Sequence, residues 1–172
     1  RSRHLCVQTF DEDRLIDMMK RSVKYGWQMN THAIGDKANT VVLDAIEAAQ
    51  LAPHDHRARI EHSQHLIRSD INRFADLGVI ASIQTIHMSS DRPWAIDRLG
   101  QERIETGAYI WRDLLNAGVH LANGTDVPVE PINPLANFYA AVARKTLRGT
   151  PEGGFELNQR MTREETLKSM TL

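Results

Sequence analysis

The sequence has one cysteine, Cys6, among 172 residues. A lone cysteine excludes an internal disulfide framework and a metal site built from thiolates alone. It fits a reducing compartment, so a cytoplasmic location is expected. Neither sign of charge is in excess, and the formal net charge is −1. A protein whose main partner is nucleic acid or an anionic membrane needs a basic patch, so neither partner is expected. No apolar run approaches the roughly 20 residues that span a bilayer. The opening stretch, "RSRHLCVQTFDEDR", lacks the apolar centre of a signal peptide and lacks an initiator Met. That is the pattern expected of a chain that begins inside a longer one. No GxGxxG or GxxxxGK(S/T) follows any predicted strand, so a phosphate-cradling loop has no support.

Apolar residues make up 41% of the chain, enough for a real core. They are arranged in alternating strand and helix patterns. "DEDRLIDMMKRSVKYG" has Leu15, Met18, Met19 and Val23 at helical spacing, acids in its first turn and Gly26 as a stop. The strand patterns are "WQMNTH", "RARIEHSQ", "VIASIQTIH" and "VHLANGTDVPV". Between them lie helical patterns in "DKANTVVLDAIEAAQ", in "SDINRFADLG" with Ser69 as N-cap, and in "YIWRDLLNAG". "MSSDRPWAIDRLGQERIETGA" reads as a long connection and "LRGTPEGGFELNQR" as a loop. "NPLANFYAAVARKT" is a helix with Pro134 in its first turn, and "TREETLKSMTL" opens with a capping box from Thr162 to Glu165. Strands separated by helices predict an α/β protein of parallel βα units. The pattern alone admits an open doubly wound sheet or part of a (β/α)8 barrel.

Side chains alternate across a strand. One face of "WQMNTH" is then Trp27, Met29 and Thr31, apolar enough to pack under helices, and the other is Gln28, Asn30 and His32. Ala58, Ile60 and His62 share a face of the second strand, Ile80, Ser82 and Gln84 of the third, and Ala122, Gly124 and Asp126 of the fourth. Each strand thus offers a polar residue near its carboxyl end, where parallel α/β proteins build sites. His32, His62 and Asp126 are nitrogen and oxygen donors suited to Zn²⁺ or a similar divalent ion. A bound ion would bring the pKa of water to about 7 and polarise a carbonyl, and a nearby carboxylate could pass the proton on.

Each of these residues also has a plainer reading. With eight histidines in the chain, two at strand ends can be hydrogen-bonded structural groups. Asp126 in "GTDVP" is also ordinary turn chemistry. His54 and His56 in "PHDHR" read as a solvated loop. His65 reads as structural or supporting, and Met18, Met19, Trp94 and Trp111 as packing.

"HAIGDKA", "RIEHSQ", "WAIDRLGQERIETGAYIWRDLLNAGV", "GTDVPVEPINPL" and "AAVARKT", in that order and about one βα unit apart, resemble the amidohydrolase superfamily. More narrowly they resemble its amidohydrolase-3 branch, that of the YtcJ-like proteins and N-substituted formamide deformylase. The resemblance covers roughly residues 10 to 172. It implies a (β/α)8 TIM barrel with a metal site at the carboxyl ends of its strands, the four strands here being five to eight. His32 and His62 match the strand-five and strand-six ligands. Asp126 matches the strand-eight aspartate that contacts metal and shuttles the proton; Thr125 stands where serine is usual. After strand seven the usual Gln-Pro-x-His is Gln84-Thr85-Ile86-His87, without the proline. His87 and Arg144 are the substrate-side candidates.

The strand-one His-x-His and the strand-four lysine of that superfamily have no counterpart, and a (β/α)8 barrel usually needs ~250 residues. The expectation is therefore a single partial barrel domain over residues 1–172, with no second domain, whose open sheet edges are covered by a second copy or by a missing amino-terminal half. The implied activity is hydrolysis of non-peptide C–N bonds in a small amide, formamide or cyclic amide by metal-activated water, with one or two divalent ions, zinc first among them. This chain alone would be inactive, since it holds part of the ligand set. The competing expectation is a non-catalytic α/β module with structural histidines that binds a small ligand or partner.

Overall fold

The computed structural model describes residues 9–51 and 55–171. Four short strands, β1 (Asn30–Ala33), β2 (Arg59–His62), β3 (Ile80–Ile83) and β4 (Leu121–Asn123), form one sheet in the order β1-β2-β3-β4. All three pairings are parallel. Each strand lies beside the next in sequence, so the order never reverses. A doubly wound sheet needs such a reversal to form its ligand crevice. A singly wound progression is what a barrel wall requires, and this choice, open in the sequence, is settled by the strand order.

The helices are α1 (Glu12–Lys24), α2 (Asp36–Ala48), α3 (Ile71–Asp76), α4 (His87–Ser90), α5 (Arg92–Leu99), α6 (Gln101–Gly107), α7 (Trp111–Asn116), α8 (Pro134–Ala143) and α9 (Arg163–Thr171), with 3-10 turns at Arg68–Asp70 and Leu157–Gln159. The register sorts the strand residues into two faces. Thr31, Ile60, Ala81 and Leu121 line up, as do Ala33 with His62 and Ile83 with Asn123. On this face Ala33, Ile60, Ala81 and Ile83 are buried in one core cluster with Leu43 and Ile46 of α2, Phe74 of α3 and Leu114 of α7. The opposite face carries Asn30, His32, Arg59, Glu61, Ile80, Ser82 and Ala122. It is mostly polar, and Arg59 pairs with Glu61 along it at 2.5 Å. Two helix starts are as the sequence predicts. Asn133 accepts from the Leu135 amide ahead of Pro134. Thr162 and Glu165 exchange hydrogen bonds at 2.7 and 3.1 Å.

Several expectations fail locally. The connection after β3 is not a loop, because it folds into α4, α5 and α6. Gly100, at φ 84°, breaks the apolar periodicity between α5 and α6, so neither segment is long enough to show a helical stripe. Ser69 is not an N-cap. A 3-10 turn precedes α3, and Asp70 occupies the cap position while its carboxylate accepts from Thr40 Oγ1 at 2.6 Å and from Arg73 at 3.2 Å. The first strand begins at Asn30, so Trp27 falls outside it and is 71% exposed. Trp111 and Met19 are buried as expected of packing residues, whereas Trp94 is exposed. Among the described residues no helix is long and apolar enough to cross a membrane. His54 and Cys6 lie outside the described residues.

Candidate metal centre

Three of the four strands deliver a polar side chain from the residues at or just past their carboxyl ends. His32 stands on the polar face of β1, level with Glu61 and Ser82. His62 does not follow its strand. Alternation puts it on the helix-covered face with Ile60, yet its ring centroid lies 4.6 Å from that of His32. The backbone explains this: His62 has φ 80° and Ser63 φ 42°. A left-handed turn at the last strand residue swings the imidazole from the apolar face to the mouth. Non-glycine residues adopt such angles rarely, and an observed outlier of this kind points to a site. Asp126 is another, at φ 59°. Its carbonyl accepts from the Val129 amide at 2.8 Å, which is the turn chemistry foreseen for it, and its carboxylate lies 3.8 Å from His87 Nε2.

His62, His87 and Asp126 each offer one ligand atom, and all three atoms lie within 4.8 Å of one another. The rings of His62 and His87 stack at 5.7 Å, and His87 Nε2 is 3.8 Å from Asp126 Oδ2. His87, foreseen on the substrate side, therefore sits among the donors. His32 flanks the group edge-on to His62 but is outside that tightest set. Burial first, then the neighbouring His62, lowers the His32 pKa, against the opposing pull of Asp126 and Glu61. A neutral imidazole is the form that ligates.

The donor set fits a divalent cation on an observation independent of any spacing. His87 is 5% exposed, and both of its ring nitrogens are buried without a hydrogen-bond partner. Buried polar atoms are nearly always paired, so the unpartnered Nε2, 3.8 Å from the Asp126 carboxylate, marks a position that a ligand completes.

A buried polar network fixes the two arms that carry His87 and Asp126. Thr85 Oγ1 meets Asn137 Oδ1 at 2.8 Å, and the Ile86 amide donates to the same oxygen at 2.8 Å. Asn137 Nδ2 donates to Asn123 Oδ1 at 2.7 Å and to the Gly124 carbonyl at 2.9 Å. Asn137 on α8 thus ties the segment after β3 to the segment after β4. None of these residues stood out in the sequence, because their partners are up to 52 positions apart.

Arg144, expected on the substrate side, is wholly buried within the described residues. It donates to the carbonyls of Phe155 and Tyr109 at 2.8 Å each, and its guanidinium lies 4.4 Å from the Trp111 ring centroid. His65, expected to be structural or supporting, is 9% exposed and packs edge-on against Tyr109. His56 bonds the Leu77 carbonyl and the Ala58 amide, so both of its ring nitrogens are engaged in closing a loop.

Comparison with known proteins agrees with this architecture. A model of the Amidohydrolase family matches residues 2–172. The chain belongs to the amidohydrolase family. It is 41% identical over 140 residues to protein LONG AFTER FAR-RED 3 of Arabidopsis thaliana, covering 80% of this chain and 24% of that protein. YtcJ of Bacillus subtilis is 37% identical over 142 residues, covering 81% of this chain and 26% of the relative. N-substituted formamide deformylase of Arthrobacter pascens is 26% identical over 171 residues, covering 98% of this chain and 31% of the enzyme. An uncharacterized metal-dependent hydrolase from Pyrococcus horikoshii superposes with a TM-score of 0.81 at 31% identity, covering 94% of this chain and 32% of that structure. The amidohydrolase chain described here spans about a quarter to a third of the length of these relatives. Its sheet is the α/β sheet of metal-dependent hydrolases of the TIM-barrel type.

Proposed function

We propose that this chain supplies part of the active centre of a metal-dependent hydrolase that cleaves C–N bonds other than peptide bonds, in an amide, formamide or cyclic amide. The observation that carries the reading is the gathering of His62, His87 and Asp126 at one rim, with neither ring nitrogen of His87 hydrogen-bonded among the described residues. The deformylase relative and the hydrolase neighbours support the same class. In this reading residues 1–172 are one piece of a barrel domain, and the remaining donors come from outside it.

His62, His87 and Asp126 would hold the ion, and His32 is the next donor along the rim. Zinc is the first candidate, and iron or manganese suit the same nitrogen and oxygen donors. When bound, such an ion polarises a carbonyl and makes water acidic enough to attack near neutral pH. Asp126, with its side chain 36% exposed, faces the open side of the cluster. Its carboxylate accepts the proton of the attacking water as the new C–O bond forms. It returns that proton to the leaving nitrogen as the C–N bond breaks.

The test uses the full-length protein, zinc-loaded and assayed on N-substituted formamides, simple amides and cyclic amides. At zinc concentrations that keep the site filled, Asp126→Asn is expected to lower turnover by two orders of magnitude or more. Turnover close to wild type in that variant would end the proposal.

A further inference from the structure

We infer that Gln84 is a positioning residue that sets the tautomer of His62, so that the lone pair of the ring faces the donor cluster. The inference rests on the proposed metal centre but concerns one hydrogen bond within this chain. A neutral imidazole has one N–H and one lone pair, and only the nitrogen with the lone pair can ligate. His62 Nδ1 lies 2.8 Å from Gln84 Oε1. An amide oxygen only accepts, so Nδ1 carries the proton and the lone pair is on Nε2. Gln84 is 8% exposed and immediately follows β3.

The orientation of the amide follows from its other end. Gln84 Nε2 faces the Ser82 carbonyl at 3.5 Å. Turning the amide over would set two oxygens against each other there and aim an N–H₂ at Nδ1. The ring would then have to offer Nδ1 to the amide and carry its proton on Nε2. The bond also holds His62 in the unusual place that its left-handed backbone creates. Without Gln84 the ring would keep its packing against His32 and His87 but lose the one side-chain hydrogen bond it makes among the described residues. A neutral amide does this without adding charge to a rim that already holds Asp126 and Glu61. A carboxylate in its place would orient the ring equally and make it a stronger donor.

The experiment measures zinc affinity of the full-length protein by chelator competition for wild type, Gln84→Leu, Gln84→Met and Gln84→Glu. In parallel, ¹⁵N spectra of the metal-free protein at alkaline pH report which nitrogen of His62 is protonated. Loss of the bond in Leu or Met is expected to weaken zinc binding about 10- to 100-fold, and Glu is expected to bind at least as tightly as wild type. The wild-type spectrum should show a protonated Nδ1, with a mixture of tautomers in the Leu and Met variants. Zinc affinity unchanged in Gln84→Leu or Gln84→Met, or a wild-type His62 protonated on Nε2, would overturn the inference. The spectrum decides even if those two variants do not fold. His62→Ala separates the two readings: if it also leaves zinc binding untouched, the metal centre itself is wrong, whereas if it weakens binding and the Gln84 variants do not, only the positioning role is.

Discussion

His87 Nε2 points at Asp126 Oδ2 across 3.8 Å, too far for a hydrogen bond and close enough to share an ion. The other ring nitrogen of His87 is also without a partner, in a side chain that solvent barely reaches. An imidazole in that state lowers the stability of the metal-free fold.

That cost yields a prediction of opposite signs. Replacing His87 with Leu removes two unsatisfied buried atoms and should stabilise the metal-free protein by about 1 kcal/mol or more. The same change should weaken zinc binding at least tenfold. Denaturant unfolding in the presence of a chelator, together with zinc competition, checks both halves. A variant less stable than wild type would mean that the ring is satisfied in a way this geometry does not contain.

Arg144 should behave as a core residue. Lys cannot donate to two carbonyls in the guanidinium geometry while stacking on Trp111, so Arg144→Lys should lose about 2–4 kcal/mol of stability. Denaturant titration measures this. A variant of native stability whose only defect is a raised KM would return Arg144 to the substrate side.

His65 makes stability depend on pH. Burial is the main cause that lowers its pKa to about 4, from 6.5. The unfolded chain therefore takes up a proton at this residue at higher pH than the folded one does. Stability is complete above about pH 6.5 and falls as pH drops toward 4. Between pH 7 and 4.5 this one group should remove about 2 kcal/mol. Unfolding curves at the two pH values, for wild type and for His65→Gln, isolate the effect; an identical loss in both would assign it to other groups.

The strands and most helices were legible because turn residues punctuate apolar periods, as at Gly26, Gly78 and Asn133-Pro134. The capping box at Thr162 and Glu165 was legible because its chemistry is local. His32 was legible as a strand-end residue on the polar face, whereas Asp126 lies beyond the end of β4 on a left-handed backbone that alternation does not describe. His62 was found as a residue but its direction was not, since period two describes extended backbone and lapses where φ turns positive. Helices α5 and α6 were hidden by the break at Gly100. The burial of Arg144 was not legible because arginine is seldom fully buried, and only the fold reveals the two carbonyls to which it donates. The Thr85, Asn123 and Asn137 network was out of reach for a similar reason: polar residues far apart in sequence leave no local pattern.

The central claim is that His62, His87 and Asp126 share one ion, and anomalous diffraction at the zinc edge from zinc-soaked crystals of the full-length protein tests it most directly. The account predicts a peak about 2.0–2.2 Å from His62 Nε2, a His87 ring nitrogen and an Asp126 carboxylate oxygen. A peak elsewhere, or none at this rim under conditions where zinc binds the protein, would contradict it.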